Sequence, residues 1–233
     1  MNKISPGTAR TGQKNHGHFL DAPQLAKGVT RFWLIRHALV EENARAALYG
    51  TLDVPLCPDS LVAQRPMYEA LARRLPEDAQ WFVTSLSRTR ITAETICSAG
   101  YGRKPELTVI PAFLEQDLGE WQGLPHNALP EKLRQPGHVF WPMSGTERPP
   151  GGESMTDVCA RVGAALNDLA ERNRGKDMVI VSHGGTIRAA IAHALRIHAD
   201  TALHFSIQNL SLTILEQPGP AWRVVTVNEL PGI

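Results

Sequence analysis

Two kinds of hydrophobic pattern alternate along the chain. Short apolar runs, of which residues 178–181 (MVIV) are the clearest, are typical of strands buried on both faces of a sheet. Between them, apolar residues recur every three or four positions, most regularly over residues 154–171, which indicates amphipathic helices. Ser154 followed by Asp157 is an N-terminal capping pattern for this helix, and Gly175 is expected to end it. The pattern predicts strands at 30–35, 81–83, 107–110, 178–181, 210–215 and 222–227, and helices at 66–75, 88–97, 154–171 and 186–195.

The order of these elements predicts the fold class. Strands that alternate with helices form a mainly parallel sheet with helices on both faces, a three-layer α/β architecture. The last two strands have no helix between them and are expected to form a hairpin around Gly219. No internal repeat or clean boundary divides the chain, so we expect one domain over residues 29–233.

Two segments depart from the regular pattern. Residues 1–28 are polar and lack the apolar stretch of a secretion signal, so we expect a flexible N-terminal tail. Residues 124–150 are rich in proline and show no clear periodicity, which predicts a long loop or a cap.

Composition narrows the class of protein. The chain has 233 residues, of which 42% are hydrophobic and 20% charged, values typical of a globular protein with a sizeable core. A net charge of +1 argues against nucleic-acid binding, and no apolar run approaches the ~20 residues of a membrane-spanning helix. The three cysteines form no C-x-x-C pair, so we expect reduced thiols in a cytoplasmic protein.

Histidines end two of the predicted buried strands. His37 follows the first strand through Arg36, and His183 follows the fourth and precedes Gly184 and Gly185. Because sites in open α/β sheets form at the carboxyl ends of the strands, we expect the two imidazoles to face each other. The glycines let N–H groups approach an anion at a helix N-terminus, and Arg36 suits a phosphate or carboxylate. A single histidine at a strand end is more often structural, but this combination favours an anion site.

Six segments of the chain resemble, in order, the motifs of a known family. They are residues 34–43 (LIRHALVEEN), 49–56 (YGTLDVPL), 84–93 (TSLSRTRITA), 114–123 (LEQDLGEWQG), 150–154 (PGGES) and 181–185 (VSHGG). No single motif is decisive, but together they identify the chain, by resemblance, as a member of the histidine phosphatase superfamily with the phosphoglycerate-mutase-like fold.

The resemblance implies a role for each matching residue. His37 would be the nucleophile that forms a phosphohistidine, and Glu115 would protonate the leaving oxygen and then activate water. Arg36, Arg88 and His183 would hold the phosphoryl oxygens, and the two arginines would help to keep His37 neutral. Further contacts to the phosphoryl oxygens would come from the side chain of Asn43 and the backbone of Gly50 and Gly184, while Asp117 and Glu120 are alternatives to Glu115 as the acid.

We expect no metal and no cofactor. The other histidines lack metal-ligand spacings such as H-E-x-x-H, and the arginines supply positive charge where other phosphoryl-transfer enzymes use Mg²⁺. The expected binding partner is a small phosphomonoester substrate, and the sequence is compatible with a homodimer.

Departures from the family pattern leave several functions open. Residues 38–40 (ALV) replace the family's G-E-T, which removes a carboxylate and a hydroxyl beside the nucleophile. Residues 115–119 (EQDLG) resemble the phosphatase branch rather than the mutases, which have E-R-H-Y-G at this place. Residues 124–150 offer only Lys132, Arg134 and Arg148 to hold a phosphoglycerate. We therefore expect a phosphomonoester hydrolase. The alternatives are a phosphoglycerate mutase and a non-catalytic phosphate-binding module, and a serine hydrolase is disfavoured because residues 152–156 (GESMT) fail the G-x-S-x-G pattern.

Overall fold

The computed structural model describes residues 28–232, so the predicted tail of residues 1–28 lies, apart from Gly28, outside the described residues. Every predicted strand and helix is present within two residues of its expected bounds. The strands are β1 (Thr30–Arg36), β2 (Gln80–Val83), β3 (Leu107–Val109), β4 (Asp177–Ser182), β5 (Leu212–Gln217) and β6 (Arg223–Glu229). The α-helices are α1 (Glu42–Arg45), α2 (Pro58–Ala63), α3 (Arg65–Arg74), α4 (Ser87–Ser98), α5 (Met155–Arg172), α6 (Gly184–Leu195) and α7 (Ala199–Ala202).

All the strands belong to one sheet in the order β3-β2-β4-β1-β5-β6. β1 runs parallel to β4, and β2 runs parallel to both β4 and β3. β5 is antiparallel to β1 and β6 is antiparallel to β5, so the predicted hairpin forms one edge of the sheet. The mainly parallel sheet is confirmed, with β1 and β4 at its centre.

Helices cover both faces of the sheet, which confirms the three-layer α/β fold. On one face, α5 and α6 bury side chains such as Val158 and Ile191 in a core with Leu34. On the other face, α3 and α4 bury side chains such as Ile96 in a core with Ile35. Neighbouring residues of β1 enter different cores because successive strand residues point to opposite faces of the sheet.

Helix α5 begins at the predicted capping motif. The Ser154 hydroxyl accepts a hydrogen bond of 3.2 Å from the Asp157 N–H, and the Asp157 carboxylate accepts one of 2.7 Å from the Ser154 N–H. The helix ends at Arg172 with Asn173 in the capping position, whereas Gly175 lies beyond the end with a φ of +74°. The last helical residue agrees with the predicted bounds, but Asn173 rather than Gly175 caps the helix, through its N–H to the Leu169 carbonyl.

Three short helices, α1, α2 and α7, are not predicted by the hydrophobic pattern. Each has six residues or fewer, which is less than two turns and too short to show a period of 3.6 residues. Within residues 28–232, none of the helices has the length and apolar character needed to cross a bilayer.

Residues 124–150, termed the cap segment, contain two short 3₁₀ turns, His126–Ala128 and Pro130–Lys132. Leu129 and Met143 of this segment form a small separate core with Leu48, Leu118 and Trp121. This core fixes the cap segment over the loops that follow β1 and β3.

Backbone hydrogen bonds join the chain just before the cap segment to the chain at its end. The Glu120 N–H donates to the Pro150 carbonyl at 2.9 Å, and the Glu153 N–H donates to the Asp117 carbonyl at 2.8 Å. A Cβ atom on Gly119 would overlap the Pro150 carbonyl oxygen, and the φ of +50° at Gly119 also favours glycine. The two ends of the segment are thus fixed to each other beside the loop that carries Glu115.

Candidate active site

The carboxyl ends of β1 and β4 bring His37 and His183 together. Arg36 lies opposite Ser182 in the paired strands, and the His37 N–H donates to the Ser182 carbonyl at 2.9 Å. The two imidazole centroids are 5.2 Å apart, with the ring planes at 62°. Both residues are buried, with exposed fractions of 2% and 0%. The two histidines predicted from the sequence therefore share one buried site.

The position of His37 determines which of its nitrogens is available. Nδ1 lies 2.7 Å from the carbonyl oxygen of Ala38, which can only accept, so Nδ1 carries the proton. In the neutral ring, Nε2 then keeps its lone pair. Burial lowers the pKa of His37 well below 6.5, and the charges of Arg88 and Arg36 lower it further. This arrangement leaves a neutral, nucleophilic Nε2 at neutral pH.

His183 has one nitrogen bonded and one free. Nε2 lies 3.1 Å from the Thr84 hydroxyl, whereas Nδ1 is buried and has no hydrogen-bond partner among the described residues. Burial lowers the pKa of His183 well below 6.5, with further contributions from His37 and Arg88. A buried polar atom without a partner costs free energy, so Nδ1 indicates a place for a ligand oxygen.

The guanidinium groups of Arg36 and Arg88 are oriented by main-chain carbonyls. Arg88 donates to Leu52 at 2.6 Å and to Gly50 at 2.7 Å, and Arg36 donates to Ile207 at 2.6 Å. The Nε atom of each arginine is buried without a partner among residues 28–232. These contacts fix the side chains and leave charged N–H donors for an anion.

Arg88 is placed by the start of helix α4. The Asp53 carboxylate accepts hydrogen bonds of 2.8 Å from both the N–H and the hydroxyl of Ser87, the first residue of the helix. The Tyr49 ring lies 5.3 Å from the Arg88 guanidinium carbon. Burial lowers the pKa of Arg88, and the negative charge of Glu115 partly offsets this decrease.

Glu115 extends toward the N-terminus of α6. Its Oε2 accepts from the Gly185 N–H at 3.1 Å and its Oε1 accepts from the Gln116 N–H at 2.9 Å. A Cβ atom on Gly185 would overlap the Glu115 carboxylate. The second glycine of the predicted Gly-Gly pair therefore makes room for the carboxylate rather than for an anionic ligand.

The loop that carries Glu115, termed the acidic loop (residues 112–117), is held through its main chain. Arg161 donates to the carbonyls of Ala112 at 2.9 Å and Glu115 at 3.0 Å. The two carbonyls that lie between these in the chain accept hydrogen bonds from hydroxyl groups. The Ser182 hydroxyl donates to the Phe113 carbonyl and the Thr186 hydroxyl donates to the Leu114 carbonyl, both at 2.7 Å. Glu153, which the sequence marks only as part of a motif, pairs with Arg161 at 2.7 Å and accepts from the Asp117 N–H at 3.1 Å.

The structure does not bring all the predicted residues to the same place. Asn43 lies on the short helix α1 with an exposed side chain. Gly50 is buried with a φ of +38°, and its carbonyl accepts from Arg88. Gly184 begins α6 beside Arg36. The alternative acids, Asp117 and Glu120, point elsewhere: Asp117 Oδ1 accepts from the Gly119 N–H at 2.9 Å, and Glu120 is exposed.

A cavity of about 210 Å³ opens beside these groups. A larger groove of about 850 Å³ lies along the outer side of α4 and is lined by none of Arg36, Glu115 and Gly184. The smaller cavity is lined by all three, so it is the relevant one. Its polar walls are Arg36, Gly184, Glu115 and Gln116, with His126 from the cap segment. Its remaining walls are mostly apolar, from Ala47, Leu48, Tyr49, Gly50, Leu118, Trp141, Pro142 and Met143.

Arg188 is a charged residue of this region that the sequence motifs do not single out. It lies on α6, is 7% exposed, and places its guanidinium carbon 4.5 Å from the centre of the Trp141 ring. The available signal is its spacing of four residues from Gly184, which puts both on one side of the helix. Trp141 had no signal, because the cap segment has no periodicity.

Within residues 28–232, no group of three or more His, Cys, Asp or Glu side chains is arranged to hold a metal ion. The positive charge near the histidines comes from arginine side chains.

Comparison with known proteins gives one family. The family model described as the histidine phosphatase superfamily (branch 1) matches residues 32–230. A 2,3-bisphosphoglycerate-dependent phosphoglycerate mutase from Rhizobium etli is 33% identical over 158 residues, which cover 67% of this chain and 76% of that one. A metal-independent phosphoserine phosphatase from Arabidopsis thaliana is 28% identical over 165 residues, which cover 69% and 67% of the two chains.

Solved structures show the same fold. A mycobacterial glucosyl-3-phosphoglycerate phosphatase superposes with a TM-score of 0.73 and 26% sequence identity, over 86% of this chain and 99% of that one. The relatives thus include both phosphatases and mutases.

Proposed function

The chain belongs to the histidine phosphatase superfamily, and on that premise we propose that it is a cytoplasmic, metal-independent phosphomonoester hydrolase. It acts on a small phosphorylated metabolite through a phosphohistidine on His37. The observation that carries the proposal is the hydrogen bond from His37 Nδ1 to the Ala38 carbonyl, which leaves Nε2 unprotonated in a neutral ring. Cys57, Cys97 and Cys159 are free thiols, in keeping with a reducing compartment.

In the first step, the lone pair of His37 Nε2 attacks phosphorus. The N–P bond forms, the P–O bond to the alcohol breaks, and the leaving oxygen takes a proton from the Glu115 carboxyl group. Arg36, Arg88 and the free Nδ1 of His183 hold the phosphoryl oxygens, whose charge must be stabilised in the transition state. These cationic and polar groups take the place that Mg²⁺ has in other phosphoryl-transfer sites.

In the second step, the Glu115 carboxylate removes a proton from water, whose oxygen attacks phosphorus. The N–P bond breaks, inorganic phosphate leaves, and His37 and Glu115 return to their starting states. The hydrogen bonds from the Gly185 and Gln116 N–H groups keep the carboxylate in place for both steps.

A phosphoglycerate mutase is the second candidate, because the relative from Rhizobium etli is named as one. Hydrolysis is favoured by the walls of the cavity. None of the cap segment cations Lys132, Arg134 and Arg148 lines it, and Arg148 is paired with Asp157 at 2.6 Å. The cap segment thus supplies mainly apolar surface, with only His126 to meet a second charged group.

A non-catalytic phosphate-binding module was suggested by the replacement of G-E-T with residues 38–40. Val40 is buried, 1% exposed, and belongs to the core on the α3 and α4 face. Ala38 is also buried and belongs to the same core. At these two positions the replacement changes the packing of the loop, so it gives little support to loss of activity.

The proposed function is tested by turnover of an aryl phosphate and by trapping of the phosphoenzyme. The wild type should release phosphate and carry an acid-labile label, and His37→Ala should do neither while still binding inorganic phosphate weakly. An active His37→Ala variant would refute the mechanism. A wild-type phosphoenzyme that is stable in water and discharges only to a phosphoglycerate would identify a mutase.

A further inference from the structure

Two threonine hydroxyl groups connect His183 to the start of α4. His183 Nε2 lies 3.1 Å from the Thr84 hydroxyl oxygen, which lies 3.1 Å from the Thr89 hydroxyl oxygen. The Thr89 oxygen in turn lies 2.9 Å from the Leu86 carbonyl oxygen. The three side chains are buried, with exposed fractions of 1% or less. We call Thr84 and Thr89 the hydroxyl pair.

These three contacts determine where the protons lie. Each contact needs one hydrogen, because two polar atoms at such distances repel each other when only lone pairs lie between them. The Leu86 carbonyl has no hydrogen to donate, and the two hydroxyl groups have one each. The third hydrogen must therefore come from His183, as an Nε2–H group that donates to Thr84. Thr84 then donates to Thr89, and Thr89 donates to Leu86.

The main chain completes this arrangement. The Leu86 N–H donates to the Thr84 hydroxyl at 3.3 Å, and the Thr84 N–H donates to the Thr89 hydroxyl at 3.1 Å. Each hydroxyl oxygen thus donates one hydrogen bond and accepts two, which uses its full capacity. If Thr84 donated to His183 instead, one of the two remaining oxygen–oxygen contacts would have no hydrogen.

A proton on Nε2 leaves His183 Nδ1 with a lone pair in the neutral ring. Nδ1 is buried and has no hydrogen-bond partner among residues 28–232. A fully deprotonated phosphoryl group presents only lone pairs to this atom, so the two would repel each other. A proton between Nδ1 and a phosphoryl oxygen converts this repulsion into a charge-assisted hydrogen bond.

The groups around His183 keep this proton away until a ligand is bound. Burial lowers the pKa of His183 well below 6.5. Four groups on the neighbouring strands and helices lower this pKa further, and they are His37, Arg88, Arg36 and Arg161. The Glu115 carboxylate approaches from the acidic loop and accepts from the Gly185 N–H at 3.1 Å. A phosphoryl dianion adds two negative charges to this site, which favours the protonated ring.

We propose that the hydroxyl pair holds the His183 proton on Nε2 in the free protein, so that phosphate binding is coupled to the uptake of one proton at Nδ1. The proposal rests on the proposed function, because it takes His183 as a ligand of the phosphoryl group. For a monoanion, the O–H bond of the P–OH group breaks as the N–H bond forms, and for a dianion the solvent supplies the proton. The proton leaves with the product phosphate. Thr84 is thus a positioning residue that acts through His183.

Calorimetric titration of the wild type with inorganic phosphate measures the proton uptake. At pH 8 most free phosphate is the dianion, so titrations in two buffers of different ionisation enthalpy should show close to one proton taken up per phosphate. Affinity should fall by up to about tenfold between pH 8 and 9. Glu115→Gln should retain the uptake, which assigns it to His183 rather than to the carboxylate. Binding without proton uptake in either protein would overturn the proposal.

Variants of the hydroxyl pair test its role. Thr84→Val keeps the shape of the side chain but offers no acceptor to Nε2, so the proton of the neutral ring can move to Nδ1 and proton uptake at pH 8 should fall toward zero. Thr84→Ser should retain the uptake. Thr95→Val is the matched control, because the Thr95 hydroxyl donates to the Ile91 carbonyl on the same helix, and it should also retain the uptake. Full uptake in Thr84→Val would overturn the proposal.

Nitrogen NMR of protein labelled with ¹⁵N-histidine reports the protonated nitrogen without any ligand. In the free protein, His183 should carry its proton on Nε2 and His37 should carry its proton on Nδ1. Phosphate should add a second proton to His183, and His183→Ala assigns the signals. A proton on Nδ1 of His183 in the free protein would overturn the proposal.

Aryl phosphate turnover by the wild type separates the two proposals. If turnover is present and phosphate binds without proton uptake, the proton coupling alone is refuted. If turnover is absent and proton uptake is found, the hydrolase proposal fails and the proton coupling stands.

Discussion

Arg161 Nη2 donates a hydrogen bond of 3.0 Å to the main-chain carbonyl of Glu115. Through this bond, a residue in the middle of α5 fixes the position of the Glu115 main chain, and therefore the point from which the proposed acid side chain extends. The same nitrogen contacts the Glu153 carboxylate at 2.9 Å, so the bond belongs to an ion pair that also fixes Asp117. Arg161 does not line the cavity, and any effect of this residue on the chemistry acts through the position of Glu115.

Arg161→Ala should therefore weaken proton transfer more than phosphate binding. We expect kcat for an alkyl phosphate to fall by ~10-fold, a fraction of the ~10²–10⁴-fold typical of general acid–base catalysis, while kcat for an activated aryl phosphate falls much less. Steady-state kinetics on both substrates measure the difference. Arg172→Ala, which removes an exposed arginine paired with Asp168 on the same helix, is the control. An equal loss on both substrates would show that Arg161 acts only on the fold.

Glu115→Gln should show the full effect of losing the acid. The amide cannot protonate an alkoxide, so turnover of an alkyl phosphate should fall by ~10²–10⁴-fold, whereas phosphorylation by an aryl phosphate should fall less. Because water attack also needs the carboxylate, phosphohistidine should accumulate in this variant and can be followed by its acid-labile label. Equal effects on alkyl and aryl phosphates would move the acid role to Asp117 or Glu120.

Gly185→Ala should displace the Glu115 carboxylate without removing it. The new Cβ would overlap Glu115 Oε1, so we expect a fall in alkyl phosphate turnover similar in kind to that of Glu115→Gln but smaller. Gly163→Ala is the control, because its Cβ would instead crowd the His193 ring at 2.5 Å, outside the site. It should lower thermal stability and leave kcat unchanged. Normal kcat in Gly185→Ala would mean that Glu115 works from another position.

The buried histidines should make stability depend on pH. The pKa values of His37 and His183 are lowered below 6.5 in the folded state, mainly by burial, whereas unfolded histidines titrate near 6.5. Below pH 6.5 the unfolded state therefore binds more protons, and the free energy of unfolding should fall by up to about 1.4 kcal/mol per pH unit for each histidine. Urea unfolding at several pH values measures this slope.

Replacement of either histidine should reduce that slope. His183→Ala should flatten the dependence between pH 6.5 and 5, and His198→Ala, which removes an exposed histidine, should not. If the two variants have the same slope as the wild type, the buried histidines accept protons in the folded state, which would contradict their lowered pKa values.

Activity should persist when divalent cations are removed. The positive charge around the phosphoryl group comes from Arg36 and Arg88, which chelators do not affect. Aryl phosphate turnover in excess EDTA should equal that in buffer alone. A loss of activity that Mg²⁺ or Mn²⁺ restores would contradict the proposed mechanism.

The sheet and its central histidines could be predicted because they depend on local patterns. Consecutive apolar residues mark β1 and β4 as buried strands, and parallel strands place His37 and His183 at the same edge. The sequence motifs likewise identify Arg88 and Glu115, whose backbone anchors the structure then shows. Features encoded within a single strand or a single motif were therefore accessible from the sequence.

Contacts between distant, irregular segments could not be predicted in this way. Trp141 of the cap segment packs on Arg188 of α6. The cap segment shows no hydrophobic periodicity, and α6 is so apolar that its pattern does not indicate a role for its buried arginine. The exposed position of Asn43 depends on α1, a helix of four residues, too short to leave a pattern. Such features depend on tertiary packing rather than on local preference.

The close contact between Gly119 and Pro150 allows the cap segment to vary in length and sequence. Because the two ends of the segment meet there, a change in the number of residues between them leaves the backbone hydrogen bonds at its base in place. The entropy cost of lengthening such a closed loop rises only slowly, by about 0.6 kcal/mol per doubling of its length. Evolution, or an engineer, can therefore replace the surface that contacts the alcohol half of a substrate while the phosphoryl chemistry beneath it stays the same.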